Sequence, residues 1–171
     1  MCGTIYEYMK KKKPWNRVSE QIYSLSTHDS SGKLNMNIAT YVVPVTMDIK
    51  RYVIAVYKNT QTHKNIFENR DTSTFVLQAL SKTQKSLVQV LGKKSGQIYD
   101  KQSYLKKRRL LENYSYENAD YAYLIESSFS LLMVIETYTE LGDHDLIVAR
   151  VVKTIQNNFD APLLDTSQLD S

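Results

Sequence analysis

The residues best placed to do chemistry gather in one stretch, Gly32–Asn59, and just beyond it. Two apolar, β-branched runs, Met36–Val45 and Tyr52–Tyr57, are separated by a short polar turn. The first carries Asn37, Ala39 and Thr40 amid Ile38, Val42 and Val43, and the second leads into Lys58, Asn59, Thr60 and Thr62. Such runs read as a strand pair with hydrogen-bonding groups at its margins. A pair of this kind suits a flat, partly apolar, phosphorylated ligand.

Other chemistries lack their residues. No G-x-G-x-x-G follows a strand, so no Rossmann dinucleotide site is indicated. Gly92-Lys93-Lys94-Ser95-Gly96 lacks the upstream glycine of a phosphate-binding P-loop and follows a helix instead of opening one. There is no H-E-x-x-H and no G-x-S-x-G. The histidines are His28, His63 and His144, none spaced with a second metal ligand. His28 and His63 read as surface residues. A single cysteine, Cys2, excludes an internal disulfide framework and cysteine-cluster metal sites. It fits a reducing cytoplasm.

At 171 residues the chain has the length of one domain with a real core. With 42% hydrophobic and 23% charged residues it is neither disordered nor membrane-embedded. No apolar run reaches the roughly 18 residues of a spanning helix. The first 15 residues lack the apolar core of a secretory signal, and 1–14 reads as a flexible arm. The net charge of +4 comes largely from Lys10–Lys13 and Lys106–Arg109, either solvated surface or a rim for phosphate or nucleic acid. Thirteen tyrosines against four phenylalanines suit half-buried positions at clefts and subunit interfaces.

Several short elements must position these groups. Gln21–Thr27 alternates with period two and is expected to form a hairpin with a second strand, Leu34–Val45, across the turn cluster 28–32. Pro44 belongs at that strand's end. Arg51–Tyr57 is a third strand. A short helix is expected over Thr62–Asn69 with Thr62 as N-cap. Phe75–Leu80 is a strand, and Ser81-Lys82-Thr83-Gln84 reads as a capping box opening a helix that Gly92 ends. Residues 93–118 read as a long irregular loop. Tyr121–Glu126 is a strand, and Phe129–Thr139 and His144–Val152 form a hairpin around Glu140-Leu141-Gly142-Asp143. The tail from Asp160 is expected to run over the surface or onto a second subunit. Tight turns between short strands favour an antiparallel sheet, here a small closed barrel with helices packed on it.

Taken in order, Asn35-Met36-Asn37-Ile38-Ala39-Thr40, Pro44-Val45-Thr46-Met47, Val56–Thr62, Val76–Ser81, Leu91–Gly96, Asp100-Lys101 and Gly142-Asp143-His144 resemble the flavin reductase-like family, from about Trp15 to Asp170. The resemblance implies a mainly β fold, the antiparallel FMN-binding split β-barrel with short helices, as a single domain over 1–171. It implies that a flavin lies against Asn37, Ile38, Ala39, Thr40 and Tyr41, whose extended backbone offers alternating donors and acceptors to the ring edge. It places the phosphate among Asn59, Thr60, Thr62, Ser81, Ser95 and Lys101. It puts His144 beside the flavin, where the nicotinamide of NADH or NADPH would stack. Read without it, Thr40 is an ordinary strand threonine, Thr62 and Ser81 are caps, and His144 is a hairpin residue. One departure from the family concerns the loop after the second helix, which carries Lys93, Lys94 and Lys101 where many members have arginine. Lysine binds phosphate as a point charge, which leaves FMN against FAD open.

The activity so implied is NAD(P)H-dependent flavin reduction, with hydride passing to the flavin and electrons onward to free flavin, oxygen or a protein acceptor. A homodimer is implied as well, with Tyr99–Tyr123 as a possible wall of the cleft. Two other functions stay open: an FMN-binding electron carrier without fast reductase activity, and a barrel binding single-stranded nucleic acid through its basic and tyrosine residues.

Overall fold

The computed structural model describes residues 19–68 and 74–169. The arm 1–14 and the Lys10–Lys13 cluster lie outside them. Nine strands are present among the described residues. They are β1 (Tyr23–His28), β2 (Leu34–Met36), β3 (Val42–Pro44), β4 (Arg51–Tyr57), β5 (Thr74–Ala79), β6 (Leu111–Tyr116), β7 (Ala119–Leu124), β8 (Phe129–Leu141) and β9 (His144–Asn157). Seven of them make one antiparallel sheet in the order β2-β1-β5-β8-β9-β4-β3, and β6 and β7 form a separate hairpin.

The two edge strands, β2 and β3, are pieces of the same run. The expected single strand over Leu34–Val45 is therefore broken. Asn37 breaks it: its side-chain Oδ1 accepts the Leu25 N–H at 3.0 Å and replaces a ladder partner. Ala39 rejoins β1, exchanging two backbone hydrogen bonds with Tyr23 at 2.8 and 2.9 Å. Tyr41 then accepts from Ala55 N at 3.0 Å, and the chain continues as β3 beside β4. The sheet thus curls until its two edges meet at residues 37–41. It is joined there by the chain itself and not by a ladder between β2 and β3. This is the split barrel that the family resemblance implied, and not the closed barrel that the strand pattern suggested.

Curvature comes from the β8–β9 pair, whose register shifts at Ser130/Leu131, Leu132/Met133 and Ile135/Thr137 raise the local twist. The hairpin turns at Gly142, whose φ of +53° lies in the left-handed region a tight turn needs. Leu25, Ile54, Phe75, Leu77, Met133 and Ile147 fill the inside of the curl. A second core, with Ile22, Met36, Leu80, Leu91, Leu105 and Leu124, lies on the outer face. Strands β1 and β5 are consequently buried on both sides.

Helix α1 (Gln61–Phe67) packs Ile66 and Phe67 against the inner core, while the outer core is covered by the short helices α2 (Leu87–Lys93) and α3 (Lys101–Lys107) and by the β6–β7 hairpin. The expected loop over 93–118 therefore contains α3 and β6. Asp100 caps α3, with Oδ1 accepting from Ser103 N at 3.0 Å. Two buried polar side chains dock the hairpin: Ser26 Oγ donates to Ala122 O at 2.7 Å, and Leu124 N donates to Gln78 Oε1 at 2.8 Å. Gly92 lies inside the last turn of α2 and does not end it. The tail returns to its own chain, with bridges Gln21↔Asp165 and Ser81↔Leu163 and a fully buried Leu164. No helix among the described residues is long and apolar enough to cross a membrane.

Candidate functional site

Where the sheet splits, a cavity of about 530 Å³ opens between residues 37–41, the Tyr57–Thr62 connection, the end of α2 and His144. Its volume falls among those of small-molecule pockets, roughly 300–1,000 Å³. Alternate residues of an extended chain turn their backbone groups to opposite edges. Because Ala39 faces Tyr23, the N–H and C=O of Ile38 and the N–H of Thr40 face the other way, and among the described residues they have no protein partner. A planar ligand with edge donors and acceptors finds its complement there.

The far wall is thin. A Cβ on Gly92 would stand 3.2 Å from Ile38 Cγ1, and one on Gly96 would stand 2.1 Å from Asn35 Oδ1. Asn35 is 5% exposed; its Nδ2 donates to Thr62 Oγ1 at 3.0 Å, while its Oδ1 is buried without a partner. Thr60 caps α1: its Oγ1 accepts from His63 N at 3.1 Å and donates to Tyr57 O at 2.7 Å. The expected cap, Thr62, is instead a buried first-turn residue.

The charge lining the cavity is of one sign. Lys93, Lys94 and Lys101 border it, and among the described residues no carboxylate does. Lys93 and Lys94 are exposed, with Lys94 Nζ 4.2 Å above the Tyr99 ring. Lys101 is buried, and its Nζ donates to Met36 O at 2.8 Å and Leu91 O at 2.7 Å. Burial without a counter-ion lowers its pKa to about 8. At the mouth, the His144 ring lies 5.2 Å from that of Tyr57 and 5.7 Å from that of Tyr41. Its Nδ1 sits 2.8 Å from Asp143 Oδ1. That hydrogen bond is the largest influence on Asp143 and lowers its carboxyl pKa. An ionised carboxylate accepts only, so Nδ1 carries the proton and Nε2 is the imidazole's free nitrogen.

No curated protein matches the chain in sequence. Residues 15–168 match the flavin reductase like domain. The chain belongs to the flavin reductase-like family.

Solved structures share the fold at low identity. An FMN-binding protein from Thermus thermophilus, with bound 1-cyclohex-2-enone, is 17% identical at a TM-score of 0.70, covering 94% of this chain and 79% of that one. An NADH:FAD oxidoreductase from Streptomyces globisporus C-1027, in complex with NAD and FAD fragments, is 13% identical at a TM-score of 0.71, covering 96% and 91%. A protein of Sinorhizobium meliloti 1021 is 16% identical at a TM-score of 0.70; the match covers 86% of this chain, which spans 46% of that longer one.

In this flavin reductase-like chain the cavity gathers Asn37, Ile38, Ala39, Thr40, Tyr41, Asn59, Thr60, Thr62, Ser95, Lys101 and His144. Ser81 is not among them. It is buried in the capping box, its N–H donating to Gln84 Oε1 at 3.1 Å, beside the C-terminal tail. Nor do the tyrosines of 99–123 line the cavity; its aromatic walls are Tyr41 and Tyr57. Asn35, Gln61 and Tyr57 line the cavity too, and no local pattern marks them as site residues, although Asn35 begins the family segment Asn35–Thr40. His63 is no simple surface residue: its Nε2 lies 2.8 Å from Asp145 Oδ2, and Asp145 is 5% exposed. His28 is half-buried, and burial lowers its pKa. No group of three or more His, Cys, Asp and Glu among the described residues could hold a metal ion.

Proposed function

We propose that this chain binds FMN in the cavity at the split and acts as an NAD(P)H-dependent flavin reductase. The observation that carries the reading is the pairing of unpartnered backbone groups at Ile38 and Thr40 with a carboxylate-free, lysine-bordered wall across one small-molecule cavity. The first suits the ring edge, and the second suits a phosphate. The orphaned Asn35 Oδ1 suits a ribityl hydroxyl, and the wall at Gly92 and Gly96 leaves room that side chains would fill. The residues present therefore fit the group.

When bound, a flavin supplies the two-electron chemistry, accepting hydride from a nicotinamide and passing electrons on. The protein holds and orients. Residues 37–41 fix the ring plane, Lys93 and Lys94 offset the phosphate charge, and the Ser95 hydroxyl hydrogen-bonds it. His144, oriented through Asp143, presents Nε2 at the mouth to the incoming carboxamide. Tyr41 and Tyr57 wall the approach and limit water, which close stacking for hydride transfer requires. Thr60 and Thr62 set the α1 turn against the phosphate end, and Asn59 completes that rim.

We propose a homodimer as well. Tyr41, Val43 and Val45 are 47%, 55% and 48% exposed on and beside the edge strand β3, next to the cavity mouth, an apolar strip that a second copy would cover.

The deciding measurement is the visible spectrum of the purified protein with FMN, then with FAD, followed by NADH and NADPH without oxygen. The expected result is the two-band spectrum of an oxidised flavin, bleached by one nucleotide, which names the donor. A yellow protein that neither nucleotide bleaches is an electron carrier. A protein that takes up neither flavin overturns the reading, and salt-sensitive binding of single-stranded nucleic acid is then the next test.

A further inference from the structure

Lys101 was expected as a phosphate cation, yet two of its three donors serve the protein itself. Met36 ends β2 and leads into residues 37–41, the cavity's near wall. Leu91 stands one residue before Gly92 and the loop to Gly96, the far wall. Its carbonyl is one of the last four in α2, which lack intrahelical partners. The ammonium bonds both carbonyls, at 2.8 and 2.7 Å, and so ties the two walls at a point bordering the cavity.

We infer that Lys101 is a positioning residue that couples the two walls to the charge of the ligand: its ammonium sets their spacing, and an anionic ligand entering between them draws a proton onto it. The inference rests on the flavin reading only for the identity of the anion, a phosphate ester.

The surroundings of the amine support this coupling. From α2 the charged neighbours are Lys93 and, at its C-cap, Lys94, both cationic. The Leu34–Met36 strand contributes no titratable group. Its own helix adds Tyr104, Lys106 and Lys107, and at the N-cap Asp100 is committed to Ser103 at 2.8 and 3.0 Å. Across the cavity stand His144, Tyr41 and Tyr57. Among the described residues no carboxylate is bonded to the amine, and burial holds its proton weakly, with a pKa of about 8 in the free protein. A phosphate nearby favours the charged form and raises that value. By linkage, affinity for the anion is then greatest below about pH 8 and falls as pH climbs past it.

The test compares FMN with riboflavin, which has the same ring but no phosphate. Binding to the apoprotein is followed by flavin fluorescence from about pH 7 to about pH 9.5, and by calorimetry in buffers of different ionisation heat. The FMN phosphate is doubly ionised throughout, its second pKa being about 6. The expected result is an FMN Kd that rises roughly tenfold across the range, with net proton uptake near the middle, and a riboflavin Kd that changes several-fold less. Lys101→Arg keeps the charge without titrating and flattens the profile; Lys101→Met flattens it too and weakens FMN at neutral pH. A flat FMN profile, or either variant keeping the wild-type slope, overturns the inference while the flavin reading stands. If neither flavin binds, that reading falls, and inorganic pyrophosphate becomes the probe. A pH-dependent binding heat that Lys101→Met abolishes then supports the role of Lys101, and its absence overturns it.

Discussion

At Asn35 one amide serves two sides. Its Nδ2 secures Thr62, and its Oδ1 lies buried against Gly96 without a partner. Leaving such an acceptor unsatisfied costs about 1–3 kcal/mol, which a ligand hydroxyl would recover. Asn35→Ala is therefore expected to weaken FMN roughly tenfold, measured by fluorescence titration; an unchanged Kd would place the ribityl chain elsewhere. The two wall glycines make a graded pair. In Gly96→Ala the new methyl meets the rigidly held Asn35 amide at 2.1 Å, whereas in Gly92→Ala it meets the Ile38 side chain at 3.2 Å, which can shift. Overpacking of the first kind costs typically 1–3 kcal/mol. Gly96→Ala should lose most flavin affinity and Gly92→Ala little, and the reverse order would mean the far wall is not in contact with the ligand.

The elements around the mouth are tied at Asp145, the second residue of β9. Its carboxylate accepts from His63 of α1 at 2.8 Å, from Lys58 before α1 at 3.1 Å, and from the Leu141 N–H of β8 at 3.2 Å. A seven-residue helix is too short to hold itself. It depends on such ties, and it carries Thr62 into the cavity. Burial alone would raise the Asp145 pKa, but the bonds from His63, Lys58 and Leu141 outweigh it and hold the value below the usual carboxylate range. A carboxyl depressed in the folded state contributes stability that is complete above its unfolded pKa, about 4, and lost as pH falls through the folded value. Asp145→Asn is expected to lower stability at pH 7 by about 1–3 kcal/mol, to reduce the loss on acidification below about pH 4, and to weaken FMN. Urea titrations at pH 7 and pH 3 check the first two, and equal losses at both would assign the effect to packing.

For the whole molecule, one run of chain supplies both edges of the sheet. The opening where they meet is therefore built into the topology. The same arrangement leaves β3 as an edge strand with apolar side chains outward, next to the cavity mouth. If a second copy covers it, gel filtration will show twice the 19.8 kDa monomer. Val43→Lys, at a position 55% exposed, will then shift the protein to monomer and weaken flavin binding together. A monomeric wild type with full flavin affinity would remove the dimer from the site.

The features legible in the sequence are the local ones. Alternation marked β1, and short apolar runs marked β4, β5, β7, β8 and β9, because such patterns are written in neighbouring residues. Gly142-Asp143 marked the hairpin tip, since a two-residue turn requires a left-handed φ. Ordered short segments, each from a separate element, carried the family resemblance. Tertiary structure alone decided how distant groups divide their bonds. Asn37 broke a strand that read as continuous because its side chain found Leu25 across the sheet. Thr60 took the cap expected of Thr62, because its Oγ1 reaches His63 N while Thr62 bonds Asn35. Helix α3 was hidden because it is held by its packing on the outer core, and β6 because it is held by its ladder with β7, neither of which its own pattern shows. Ser81 has the right chemistry for a phosphate but stands beside the tail, while Lys101 stands at the cavity with its charge turned to two carbonyls. A hydroxyl or an ammonium acts on whatever the fold brings within about 3 Å, and sequence spacing does not specify that neighbour.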